Sequence, residues 1–65
     1  MEGNEFETLK ERHVLVTGGG SGLGAAICNL LSREGARLAV ADIDESRAGA
    51  TVARLTERGG QAVAL

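Results

Sequence analysis

Apolar residues in this chain gather into five short segments separated by glycines and charged residues. His13-Val14-Leu15-Val16-Thr17 is a valine-containing run that ends against glycine, which predicts a strand over 13–17. It lacks apolar–polar alternation, the pattern of a strand buried on both faces of a parallel sheet. From about Gly22 the spacing changes. Leu23, Ile27, Leu30 and Leu31 stand at i, i+4, i+7 and i+8, which predicts a helix that packs through those four residues. Gly35, following Arg33 and Glu34, reads as its C-terminal stop. Arg37-Leu38-Ala39-Val40-Ala41-Asp42 is a second apolar run that ends in an acid. Asp44 then reads as an N-cap, with Glu45 favourable in the first turn. Ala48, Val52 and Leu55 mark the packed face of a second helix, Gly59-Gly60 ends it, and residues 61–65 form a third apolar run. Residues 1–12 are polar and acidic apart from Met1, Phe6 and Leu9, and read as a lead-in with one anchoring turn.

Strand, helix, strand, helix, strand with short connections predicts an α/β fold: three parallel strands joined by two right-handed crossovers. That is one half of a doubly wound parallel sheet. Two right-handed crossovers put both helices on one face and leave the other bare, whereas a parallel sheet needs both covered. At 65 residues the chain is also about half the size of an ordinary domain. Residues 13–65 are therefore expected to be the N-terminal half of a larger domain. Alone, they should be poorly stable or self-associate through the uncovered face and free strand edge.

Composition removes several function classes. One cysteine, Cys28, cannot close an internal disulfide, and with the one histidine, His13, it cannot complete a zinc site. Seven basic and nine acidic residues leave a net charge of −2. No basic patch is present to meet nucleic-acid phosphates. Strictly apolar runs such as residues 25–28 fall far short of the ~20 residues of a membrane span. The acidic start lacks the positive, then apolar, layout of a secretory signal. With an unpaired cysteine, these features lead to the expectation of a cytoplasmic protein.

The chemistry sits between the first strand and the first helix. Gly18-Gly19-Gly20-Ser21-Gly22-Leu23-Gly24 places glycines where a helix N-terminus offers unsatisfied N–H groups and partial positive charge, a ready anion site. Five glycines cost roughly 1 kcal/mol each in lost chain freedom, which argues for a ligand rather than a mere turn. Asp42, at the end of the second run, stands about 20 residues on, where a carboxylate accepts ribose hydroxyls in dinucleotide sites. Gly20-x-Gly22-x-x-Ala25 fits that general fingerprint. Gly18-x-Gly20-x-Gly22 is similar to the loop of S-adenosylmethionine-binding methyltransferases, so that reading stays open, as does a non-catalytic dinucleotide-binding module. A P-loop is excluded, because no lysine follows these glycines.

Thr17-Gly18-Gly19-Gly20-Ser21-Gly22-Leu23-Gly24 also matches T-G-x-x-x-G-x-G, and here the chain resembles the short-chain dehydrogenase/reductase family. Val14-Leu15-Val16-Thr17-Gly18, Arg33-Glu34-Gly35-Ala36, Ala41-Asp42-Ile43-Asp44 and Gly59-Gly60 extend the resemblance from about Leu9 to Leu65. It implies a Rossmann-type fold and hydride transfer between a nicotinamide cofactor and an alcohol or ketone. It further implies that Gly18, Gly20, Gly22 and Gly24 form the turn under the cofactor. Ser21 and Leu23 would contact adenosine phosphate and pyrophosphate, Leu23 through its N–H. Asp42 would hold the adenosine ribose, with Ile43 beside the adenine. The resemblance places basic residues of NADP-preferring members at Ser21 or Ile43, and neither is basic. An ionised Asp42 would repel a 2′-phosphate, since like charges ~4 Å apart cost about 1 kcal/mol in water. NAD is expected over NADP. The family's catalytic serine, tyrosine and lysine are missing: there is no tyrosine, and the only lysine, Lys10, precedes the loop. The parent protein is expected to be a homo-oligomer, a tetramer or dimer, and the 65 residues alone to be inactive.

Blander expectations attach to the remaining residues. His13 reads as an ordinary strand residue and Cys28 as packing. Arg47, Arg54 and Arg58 read as a solvated helix face with Glu57 as a weak surface partner.

Overall fold

A computed structural model describes residues 12–65. The expected lead-in over 1–12, with Phe6, Leu9 and its anchoring turn, lies outside the described residues except for Arg12. The elements follow in the order β1 (His13–Thr17), α1 (Gly22–Arg33), β2 (Arg37–Ala41), α2 (Glu45–Glu57) and β3 (Gln61–Ala64). The three strands are parallel, in the order β1-β2-β3. Leu15, Ala39 and Val63 stand side by side in register across the sheet. Asp42 falls just past β2 rather than within it, and Leu65 N still donates to Val40 O at 2.9 Å beyond β3.

Burial alternates along β1. Val14 and Val16 turn toward the core, while His13, Leu15 and Thr17 are exposed. The expected burial on both faces is therefore not what the described residues show. Both helices lie over the side carrying Val14, Val16, Leu38, Val40 and Ala62, and no described element covers the other side. The core on the covered side is Cys28 from α1, Ala36 just before β2, Leu38 and Val40 from β2, and Ala48 and Leu55 from α2.

Of the four residues expected on the packed face of α1, only Leu31 packs against the core. Leu23, Ile27 and Leu30 are 76 %, 40 % and 59 % exposed, whereas Gly24 and Cys28 are buried. Two apolar stripes run side by side on this helix, one residue apart. Size favours the leucine stripe, but only the glycine stripe lets the helix start close against the loop. The second helix packs as expected through Ala48, Val52 and Leu55, with Thr51 buried between them. Asp44 caps it, accepting from Ser46 N and Arg47 N. Gly35 and Gly59, with φ of 94° and 88°, follow the two helix ends as the sequence anticipates.

Candidate functional site

The loop between β1 and α1 turns at Gly18, whose φ of 68° is open to glycine at little cost. Its backbone is then tied down on several sides. Gly19 N donates to Ala41 O at 3.0 Å, and Ser21 N donates to Gly18 O at 3.2 Å. Thr51 Oγ1, buried in α2, donates to Gly19 O at 3.0 Å. A Cβ on Gly24 would overlap the Gly18 carbonyl, and one on Gly20 would overlap Arg47 Cβ. These glycines are set by the chain's own close packing. Gly22 is different: a Cβ there would meet nothing within 4 Å among the described residues.

Ser21 is the N-cap of α1. Its hydroxyl donates to Gly18 O at 2.8 Å and accepts from Gly24 N at 3.1 Å. Its one O–H is thereby engaged within the loop, leaving acceptor capacity only. Ala25 N donates to Ser21 O at 2.7 Å. Of the first-turn amides, those of Gly22 and Leu23 have no acceptor among the described residues. No acidic side chain occupies the first turn of α1 to neutralise it. Two free N–H groups at the positive end of a helix, beside the open space at Gly22, can bind an oxyanion.

Asp42 lies beside this loop. Its Oδ2 accepts from Gly20 N at 2.9 Å and its Oδ1 from Asp44 N at 2.9 Å. Each carboxylate oxygen keeps a second lone pair, so the group can still accept a hydroxyl from a ligand. Ile43, next along the chain, projects fully into solvent. Asp44 accepts at Oδ1 from Ser46 Oγ at 2.6 Å and, across its Oδ2, meets Arg47 Nε at 3.4 Å. The Ser46 hydroxyl, and after it the Arg47 backbone amide, hold the Asp44 carboxyl below its ordinary value.

The structure thus brings Gly18, Gly20, Ser21, Gly22, Leu23, Gly24, Asp42 and Ile43 to one end of the sheet, where β1 and β2 finish. Sequence reasoning missed one contributor, Thr51, and did not anticipate that Ser21, named as a phosphate contact, also caps α1. Thr51 lies three residues after Ala48 on the packed stripe, a position that signals burial but not its bond to the loop. Ser21, immediately before a helix start, carries a capping signal that was readable. The ion pair on the arginine face is Arg47–Asp44, and Arg58 Nη1 donates to Asn29 Oδ1 at 2.8 Å, rather than either pairing with Glu57. Cys28 is fully buried with its Sγ close beneath Gly19 of the loop, and His13 is exposed at the opposite end of β1. One groove, about 420 Å³, lies elsewhere, over the open sheet face around Leu15, Ala39 and Val63; a second, about 270 Å³ between the helices, starts at Gly22 and Thr51 and runs on past Asn29 to Arg58. No described group of three or more His, Cys, Asp or Glu is placed to hold a metal, and no described helix is long and apolar enough to cross a membrane.

Comparison with known proteins agrees with this geometry. The family model described as short chain dehydrogenase matches residues 12–65. A probable galactose dehydrogenase of Rhizobium meliloti is 42% identical over 62 residues, covering 95% of this chain and 24% of that protein. The chain therefore spans about a quarter of the length of that relative. Among solved structures, a short chain dehydrogenase/reductase from Burkholderia phymatum in complex with NAD aligns with a TM-score of 0.83 at 30% identity, over 88% of this chain and 20% of that one. A metagenomic short-chain oxidoreductase in complex with NADP aligns with a TM-score of 0.84 at 31% identity, over 89% and 26%. Similar folds thus accommodate either dinucleotide. The methyltransferase reading loses its support, because the match falls on the dehydrogenase family.

Proposed function

The chain belongs to the short-chain dehydrogenase family, and from that premise we propose that it binds the adenosine half of NAD. Residues 13–65 act as the first half of a Rossmann-type dinucleotide-binding domain. The observation that carries this reading is the pairing of two free amides, Gly22 N and Leu23 N, with a carboxylate that hydrogen-bonds the same loop. The amides and the positive end of α1 take the pyrophosphate. Gly22 leaves room for it, and Gly18, Gly20 and Gly24 hold the turn beneath. Asp42 accepts the adenosine ribose hydroxyls through its remaining lone pairs, and Ile43 supplies an apolar edge for the adenine. Ser21 serves mainly as the cap that sets the helix start.

NAD is preferred over NADP in this proposal. Asp42 presents negative charge where a 2′-phosphate would sit, and neither Ser21 nor Ile43 offsets it. Arg47 packs its Cβ beside Gly20, but its guanidinium is directed to Asp44.

When bound, the nicotinamide accepts or returns a hydride, and the substrate of the whole protein is an alcohol or ketone. The proton-handling serine, tyrosine and lysine come from outside these 65 residues, which contain no tyrosine and one lysine, Lys10. The whole protein works as a cytoplasmic homo-oligomer, dimer or tetramer, whose further elements cover the open sheet face. Calorimetric titration of the full-length protein with NAD and NADP tests the proposal. Saturable binding with NAD the tighter supports it, and NADP binding as tightly as NAD overturns the cofactor preference.

A further inference from the structure

We propose that Asp42 is a positioning residue for the phosphate-binding loop, acting through Gly20, in addition to the ribose role assigned above. The inference rests on the dinucleotide reading for its consequence, though not for its geometry. Gly20 stands at the middle of the loop, between amides that are tied elsewhere: Gly19 N to Ala41 O and Ser21 N to Gly18 O. Its own N–H has one partner, Asp42 Oδ2 at 2.9 Å, across 22 residues of sequence. The carboxylate is not free to swing, because Oδ1 holds Asp44 N at 2.9 Å. Asp44 in turn caps α2, and Arg47 in the first turn of that helix presses its Cβ against Gly20. Gly20, Asp42, Asp44 and Arg47 thus close a ring that joins the loop to the start of α2. A glycine-rich loop has much conformational freedom to lose, so a charged acceptor at its centre is a strong restraint. The loop shape it holds is the one in which Gly22 N and Leu23 N face outward without partners.

Replacing Asp42 by a small neutral residue removes the repulsion of a 2′-phosphate, and also releases Gly20. The single substitution D42A therefore cannot give NADP the affinity that NAD has for the unaltered protein.

Inorganic pyrophosphate separates the two roles, because it has no ribose. If Asp42 contributed charge alone, its removal would tighten binding of this anion. The restraint requires the opposite sign. In the full-length protein, D42A should bind pyrophosphate at least about fivefold more weakly than wild type. D42N, equally neutral but keeping one acceptor oxygen, should fall between them. With no ligand present, the Gly20 amide should exchange hydrogen at least about tenfold faster in D42A, while the core amide of Val40 keeps its protection. Pyrophosphate affinity equal to or tighter than wild type in both variants, with Gly20 exchange unchanged, overturns the inference and leaves the ribose role standing. Failure of the wild type to bind either pyrophosphate or NAD counts against the dinucleotide reading instead, and the ligand-free exchange of Gly20 then decides on the restraint by itself.

Discussion

Gly24, in the first turn of α1, lies so close against the carbonyl of Gly18 that a single added methyl would overlap it. Gly22, two residues earlier, faces open space. In the proposed site the two glycines therefore separate folding from binding. Gly24→Ala forces the helix start away from the loop and should destabilise the fold by about 1–3 kcal/mol, the usual range for overpacking. A Cβ at Gly22 meets no described neighbour within 4 Å, so Gly22→Val should change stability by less than about 1 kcal/mol. It should nevertheless weaken NAD binding by at least about 1.4 kcal/mol, a tenfold loss. Thermal melts and dinucleotide titrations of both variants check the contrast.

Asp44 gives the fold a dependence on acid. Its carboxylate is held below the ordinary value of 3.8 by the Ser46 hydroxyl and then the Arg47 amide. A carboxylate depressed in the folded state contributes stability above its unfolded pKa and loses it as pH falls through the folded one. Wild type should therefore lose this contribution on titration from about pH 5 to about pH 2. In Asp44→Ala the cap is already absent, so the gap between the two melting temperatures should shrink over that window. A gap that stays constant contradicts the role given to the cap.

Much of this was legible in the sequence because it is local. The bounds of β1, the stops at Gly35 and Gly59 and the Asp44 cap follow from short patterns, while only the fingerprint spacing of about 20 residues pointed Asp42 toward the loop. The packed face of α1 was not legible. Leu23, Ile27 and Leu30 share a helical period with Gly24, Cys28 and Leu31, and periodicity alone cannot rank two neighbouring apolar stripes. The deciding term is the approach of Gly24 to Gly18, which exists only once the loop has turned. Thr51 to Gly19 and Gly20 to Asp42 join residues 32 and 22 positions apart. No sequence spacing encodes such bonds, because their partners meet only when β1, β2 and α2 assemble.

Cys28 reports on that assembly. It is fully buried, and burial pushes its thiol above the ordinary value of 9.0. A raised thiol pKa favours the folded state below the unfolded value and withdraws that contribution as pH climbs through the folded one. Stability should accordingly decline on the alkaline side of pH 9.0 in wild type and decline less in Cys28→Ala. The folded thiol should also resist alkylation that proceeds readily in denaturant. Rapid labelling without unfolding contradicts the packing of α1 through Cys28.

The most direct test of the cradle formed by Gly22 N, Leu23 N and Asp42 is a paired calorimetric titration of the full-length protein with NAD and NADP. NAD should bind saturably, with NADP weaker by at least about 1.4 kcal/mol, a factor of ten. Absence of NAD binding, or NADP affinity equal to or greater than that for NAD, contradicts the role given to the cradle.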